Sequence, residues 1–169
     1  MSRITKLWVD GLVPDRDGLY RADGTAREVE IDSAALSRFA LGEPLDLDAW
    51  LKESPESVST ADVHPKCVAE LPDGSGSVCG GDGPHGSQGF FARLDAAGRL
   101  VWVVSMADSN PFERVEVHGT TVRFFNNLGN SIEIDLTDHD FQLFRSPGPS
   151  PTATCTPHAT SWPPGGRAG

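Results

Sequence analysis

Hydrophobic and polar positions alternate with a period of two through much of the chain, most clearly in its second half. Five such runs follow one another: residues 90–94 (FFARL), 99–106 (RLVWVVSM), 113–118 (ERVEVH), 121–125 (TVRFF) and 131–136 (SIEIDL). In 113–118, Val115 and Val117 oppose Arg114, Glu116 and His118, and in 131–136, Ile132, Ile134 and Leu136 oppose Glu133 and Asp135. That pattern predicts strands with one dry face. Residues 100–106 are apolar on both sides, with Leu100, Trp102, Val104 and Met106 against Val101 and Val103, and this predicts a central strand covered on both faces. The connections between these runs are short and carry glycine or Asn110-Pro111, so successive strands are expected to pair antiparallel as a meander.

The first half is less regular. Residues 3–12 (RITKLWVDGL) alternate Ile4, Lys6 and Trp8 with Thr5, Leu7 and Val9, which reads as a first strand. Asp17-Gly18 and Asp23-Gly24 are turn signals, and residues 27–32 (REVEID) alternate again. Asp32 or Ser33 can cap a short helix over 33–41, with Leu36, Phe39 and Ala40 on one face and Gly42 and Pro44 ending it. This helix is the natural cover for the central strand. Asp46 can cap a second, carrying Leu47, Trp50 and Leu51 and ending at Pro55. Residues 53–61 (ESPESVSTA) read as a loop, and 63–71 (VHPKCVAEL) as a marginal strand that Pro65 confines to an edge.

The expected fold is therefore α+β: an antiparallel β-meander of about five to seven strands with one or two short helices packed on one face. Residues 1–145 form one domain in this reading. In residues 146–169, 13 of 24 positions are Pro, Gly or Ser with a single charge, a composition expected to stay disordered.

Residues 72–89 contain seven glycines and a single histidine, and read as a long loop. A phosphate cradle needs a following helix and a Lys-Ser/Thr ending, and here the next element is the strand at 90–94. Zinc ligation would gather Cys67, Cys79 and His85, with His64 as a further candidate, at spacings that match no close ligand pair. Nucleophilic catalysis would set Cys79 or Ser87 beside His85, with Asp82 or Asp108 orienting it, but no nucleophile elbow precedes a helix. Asp138-His139-Asp140 and the turn at 126–130 are explained by turn chemistry. Asp108 and Asn110 follow the central strand at the end where the glycine-rich loop enters its neighbour. The candidate binding residues are accordingly Asp82, His85, Ser87, Asp108 and Asn110, with no catalytic set, no metal and no cofactor.

Composition narrows the functional classes. The net charge of -10 is spread along the chain with no basic stripe, which argues against nucleic acid as a partner. No apolar run approaches the length of a membrane span, and no secretory pattern opens the sequence, so a cytoplasmic location away from membranes is expected. Three cysteines, Cys67, Cys79 and Cys155, are expected as reduced thiols. The expectation that follows is a non-enzymatic acidic protein-binding module with a basic protein as partner, of which an immunity-type inhibitor of a basic toxin or nuclease is one form. The alternative is a small hydrolase-like enzyme with its site at loop 79–89 and the turn at 108–110.

Overall fold

The structure, a computed structural model, describes residues 1–141. The expectation for residues 146–169 lies outside the described residues. The first half holds α1 (Arg3–Val9), β1 (Leu12–Pro14), β2 (Gly18–Arg21), β3 (Ala26–Ile31), β4 (Phe39–Pro44), α2 (Leu47–Glu53) and β5 (Val58–Thr60). The second holds β6 (Asp62–Glu70), β7 (Gly76–Asp82), β8 (Gly89–Asp95), β9 (Leu100–Met106), β10 (Phe112–His118), β11 (Thr121–Asn126) and β12 (Ser131–Asp135).

Strand β9, apolar on both sides, takes the fourth place of a seven-stranded antiparallel sheet ordered β4-β3-β2-β9-β8-β7-β6. Its residues divide between two cores, and a register shift against β8 between Arg93 and Leu94 breaks the alternation, so that Leu100 leaves the side of Trp102, Val104 and Met106 on which it was expected and Val101 packs on the first core. Trp102, Val104 and Met106 join Phe91, Phe112, Phe124, Ile132 and Ile134 in the first, where β10, β11 and β12 form a three-stranded sheet of their own. Leu100 and Val103 join Tyr20, Phe90 and Ala92 in the second, to which α1 contributes Ile4 and α2 contributes Leu47 and Leu51. Strands β1 and β5 form a small separate pair that adds Val13 and Val58 to this second core.

Five expectations change. The five runs of the second half are strands, but they do not form one meander: β9 pairs with β8 and β2, and β10 begins the other sheet. The connecting turn holds Asn110 at φ +62° ahead of Pro111, which sends Phe112 into the first core. Residues 3–9 are helical. Ile4, Leu7 and Trp8 also fit helical spacing, the Ser2 hydroxyl caps the Thr5 N–H at 3.3 Å, and Gly11 at φ +73° follows the last turn.

No helix forms over 33–41. Ser33 and Leu36 take φ of +87° and +54°, incompatible with a right-handed helix. The Asp32 carboxylate does accept from Ser37 and from the Arg38 N–H, but it closes a hairpin loop that leads into β4, paired Ile31 to Phe39. The loop at 53–61 contains the short strand β5, which pairs Leu12 to Thr60 and Pro14 to Val58.

The glycine-rich stretch contains a strand. Residues 76–82 are β7, paired on both sides by β6 and β8. Its glycines answer to close neighbours: a Cβ at Gly81 would collide with the Asp62 carbonyl, and one at Gly80 would stand 2.8 Å from Cys67 Sγ. Cys67 reaches that position because β6 bulges, with Val63 opposite Gly81 but Val68 opposite Cys79, and Pro65 lies within the bulge. The edge position expected from Pro65 is the one β6 occupies.

Phe91 is fully buried and touches four other rings of the first core, stacking on Phe124 at 4.4 Å, meeting Phe112 and Trp102 edge-on at 5.3 and 6.0 Å, and lying tilted against Phe39 at 6.4 Å. Phe91→Ala should lower stability by roughly 3–5 kcal/mol, read as a lower urea midpoint with unchanged slope. Val68→Ala on the exposed edge should stay within about 0.5 kcal/mol.

Candidate binding surface

Register brings the predicted residues to one end of the central sheet. Asp62 of β6 stands opposite Asp82 of β7, Asp82 opposite Gly89 of β8, and Gly89 opposite Met106 of β9, while Gly18 of β2 faces Ser105. The loops 15–17, 83–88 and 107–111 therefore leave the sheet side by side. The last two are joined directly, because the Asn110 N–H donates to the Ser87 carbonyl at 2.8 Å. Gly89 permits this approach, since a Cβ there would collide with the Asn110 carbonyl.

Buried polar groups fix these loops. Gln88 is buried and its amide donates to the Asp15 carboxylate at 2.7 Å and the Ser59 hydroxyl at 3.3 Å, while its N–H closes a turn on the His85 carbonyl at 3.0 Å. The Ser105 hydroxyl donates to the Pro14 carbonyl at 2.9 Å, and Asp17 accepts from the Ala107 N–H at 2.7 Å. Asn126, also buried, accepts from the N–H groups of Leu128 and Asn130 and donates to the carbonyls of Ala34 and Ser109, so it ties the 126–130 turn to two other loops.

Of the expected residues, Asp82 is half-buried at the end of β7, His85 and Ser87 are exposed in the loop, Asp108 is exposed, and Asn110 is half-buried and donates to the Asn127 side chain at 3.1 Å. No hydrogen bond joins the side chains of Asp82, His85 and Asp108 among the described residues. Asp15, Asp17, Gln88, Ser59 and Asn126 were not foreseen. Asp17 read only as a turn residue before Gly18, and nothing local marks Gln88 or Asn126 as buried.

The surface is a rim, not a pocket. The space beneath the 83–88 loop, lined by Val13, Ser59, Gln88 and Ser105, measures about 10 Å³, at the lower limit for one water. The rim carries Asp15, Asp17, Asp62, Asp82 and Asp108, and none of them is in an ion pair among the described residues. Arg16, set among them, is committed to Glu28 at 2.7 Å and lies over the Trp50 ring. Burial pushes the Asp17 carboxyl above its ordinary value, the Ala107 N–H partly offsets this, and the nearby Asp108 and Asp15 push it further up.

Two of the cysteines lie among the described residues, and both are shut away from solvent. Cys67 and Cys79 are buried, and burial pushes each up to about 12. They belong to different cores, so they do not share a site. Among the described residues no three His, Cys, Asp or Glu side chains stand close enough to hold a metal ion, and no helix is long and apolar enough to cross a membrane. No family model matches the chain, and no curated protein or solved structure matches it significantly.

Two outcomes follow. Asp17 has a folded pKa above its unfolded one, so the native state binds the extra proton, and its contribution to stability is full below 3.8 and lost as pH rises through the folded value. Asp17→Asn, which keeps an acceptor for Ala107, should therefore stabilise the protein most near neutral pH, with the gain shrinking as pH falls towards 4; thermal midpoints across that range read it. Asn126→Ala should cost at least about 2 kcal/mol by stranding the N–H groups of Leu128 and Asn130 and the Ser109 carbonyl, whereas exposed Asn127→Ala should change stability by no more than about 0.5 kcal/mol.

Proposed function

We propose that the protein is a non-enzymatic binding module whose acidic rim captures a cationic protein. The observation that carries this reading is the gathering of Asp15, Asp17, Asp62, Asp82 and Asp108 at one sheet end with no ion pair among the described residues. Asp62 and Asp82 are even placed directly opposite each other across β6 and β7, an arrangement that destabilises a free sheet. A partner's lysines or arginines relieve that repulsion on binding. The rigid backing of the loops by Gln88, Ser105 and Asn126 keeps the charges in place beforehand, so little ordering is needed at the interface.

An immunity-type inhibitor is the form of module that best suits such a surface, with a basic toxin or nuclease as its partner. Its action would be steric and electrostatic: the rim covers a cationic site that otherwise meets phosphates. The exposed His85 and the near-absence of space beneath its loop support binding over hydrolysis at this end.

The test is capture from a lysate of the protein's own host, identification of the captured protein, and measurement of its association rate against salt. A basic protein should be recovered, with a rate that falls as salt rises and drops by about tenfold or more in the triple variant Asp62→Asn, Asp82→Asn, Asp108→Asn. A rate indifferent to salt and to the triple substitution would overturn the reading.

A further inference from the structure

A different constellation lies toward the other end of the same strands. Register sets Trp102 of β9 opposite Arg21 of β2 on one side and opposite Arg93 of β8 on the other. Directly opposed residues of antiparallel strands project to the same face, so arginine, tryptophan and arginine form a row across three strands. The row floors a cleft of about 370 Å³, walled by Leu100, Leu136, His139 and Phe141. That volume lies within the range of small-molecule sites. Phe141 stands edge-on to Trp102 at 5.1 Å, giving the cleft an aromatic wall beside its cations.

Both guanidinium groups are held by oxygen acceptors, and each attracts a nearby carboxylate without a direct ion pair, Arg21 that of Asp23 and Arg93 that of Asp73. Arg93 donates to the Leu136 carbonyl at 3.3 Å and to the Ser75 hydroxyl at 3.5 Å, and Arg21 donates to the His139 carbonyl. Neither is in an ion pair with a carboxylate among the described residues. A guanidinium has five N–H donors, so each retains donors beyond these bonds. The two carboxylates that border the cleft are engaged in turns: Asp23 accepts from the Thr25 N–H and hydroxyl at 2.8 and 2.6 Å, and Asp138 accepts from the Asp140 N–H at 3.1 Å. Strands β2 and β8 flank β9, so the two arginine backbones are about 10 Å apart, a span that two such long side chains close around one anion.

We propose that this cleft binds a small organic carboxylate, its anionic group held between Arg21 and Arg93 and its apolar body against Leu100, Trp102 and Phe141. The bonds to the His139 and Leu136 carbonyls hold the two forks in place, which reduces the ordering cost of binding. The apolar wall is what separates this ligand from a bare inorganic anion.

The full chain would be titrated with benzoate, with its neutral isostere benzamide and with inorganic phosphate, following the Trp102 indole N–H and the arginine Nε–H signals by NMR. Benzoate should give saturable shifts at Trp102, Arg21 and Arg93, with benzamide and phosphate each weaker by about tenfold or more. Arg93→Lys, which keeps the charge and loses the fork, should weaken benzoate by a similar factor. Benzamide or phosphate binding as tightly as benzoate, or the absence of any saturable benzoate shift at these groups, would overturn the proposal. The isostere comparison uses the unaltered protein, so it decides even where an arginine substitution disturbs the fold.

Discussion

The stack of Phe91 on Phe124, with centroids 4.4 Å apart and planes within 17°, is the contact on which the relation of the two sheets depends. Phe91 comes from β8 in the seven-stranded sheet and Phe124 from β11 in the three-stranded one. An offset stack holds its geometry more tightly than aliphatic packing, because the ring quadrupoles favour a limited set of displacements. Phe112, at the start of β10, meets Phe91 edge-on at 5.3 Å and Phe124 at 6.5 Å, so the first residue of the small sheet is seated by the same two rings. Trp102 and then Phe141 extend the ring contacts to the edge of the cleft. Packing in the first core thus sets where β10 begins, and with it the path of the turn that carries Asp108 and Asn110.

The acidic rim inherits its rigidity from that placement. Phe112 cannot reach its seat unless the chain turns at Asn110-Pro111, and the turn is held from three sides by Ser87, Asn126 and Asn127. On the other core, Ser59 of β5 and Asp15 beyond β1 hold Gln88 from below. Loops that would otherwise fluctuate are tied by bonds to buried partners, and fixed loops hold fixed charges. Repulsion among the aspartates is therefore borne by the fold; the Asp17 carboxyl, raised first by burial, is raised further by Asp108 and Asp15.

Strand content of the second half was legible because each of those strands has at least one dry face, and a two-residue period survives any sheet topology. The pairing was not. Short links favour neighbours in sequence, and the link after β9 is short; the decision to change sheets rests on a positive φ at Asn110 and on where Phe112 finds its rings, neither visible locally. Residues 3–9 satisfied both periods, so only the cap at Ser2 could have separated them. Residues 33–41 carried a correct cap acceptor in Asp32, but its bonds close a loop because Leu36 enters the first core at φ +54°. The glycines of 76–82 signalled loop by composition and are spacing residues in a strand, since what they accommodate belongs to β6 and to other chain segments. The candidate rim was legible as a place, through Asp108 and Asn110 beside the glycine-rich entry to β8. Its partners Asp15 and Asp17 came from a distant loop that only the β2–β9 pairing brings in.

Charge is segregated along the strands in a way that the net value of -10 conceals. Aspartates gather beyond Met106 at one end of β9, and Arg21 and Arg93, two of the three arginines without ion pairs among the described residues, flank Trp102 nearer the other. Met106 lies four residue steps along the strand from Trp102, about 13 Å, which exceeds a Debye length of about 8 Å at physiological salt. The rim's field is consequently damped through solvent before it reaches the cleft. The two regions then answer to different forces. Occupancy of the rim is governed by screened attraction across water and is sensitive to salt. The cleft relies on directed N–H bonds beside buried aromatic surface, where ions in solution compete less. A single sheet can in this way present a cationic partner and a small anion with separate addresses, and β9 is the element that both share.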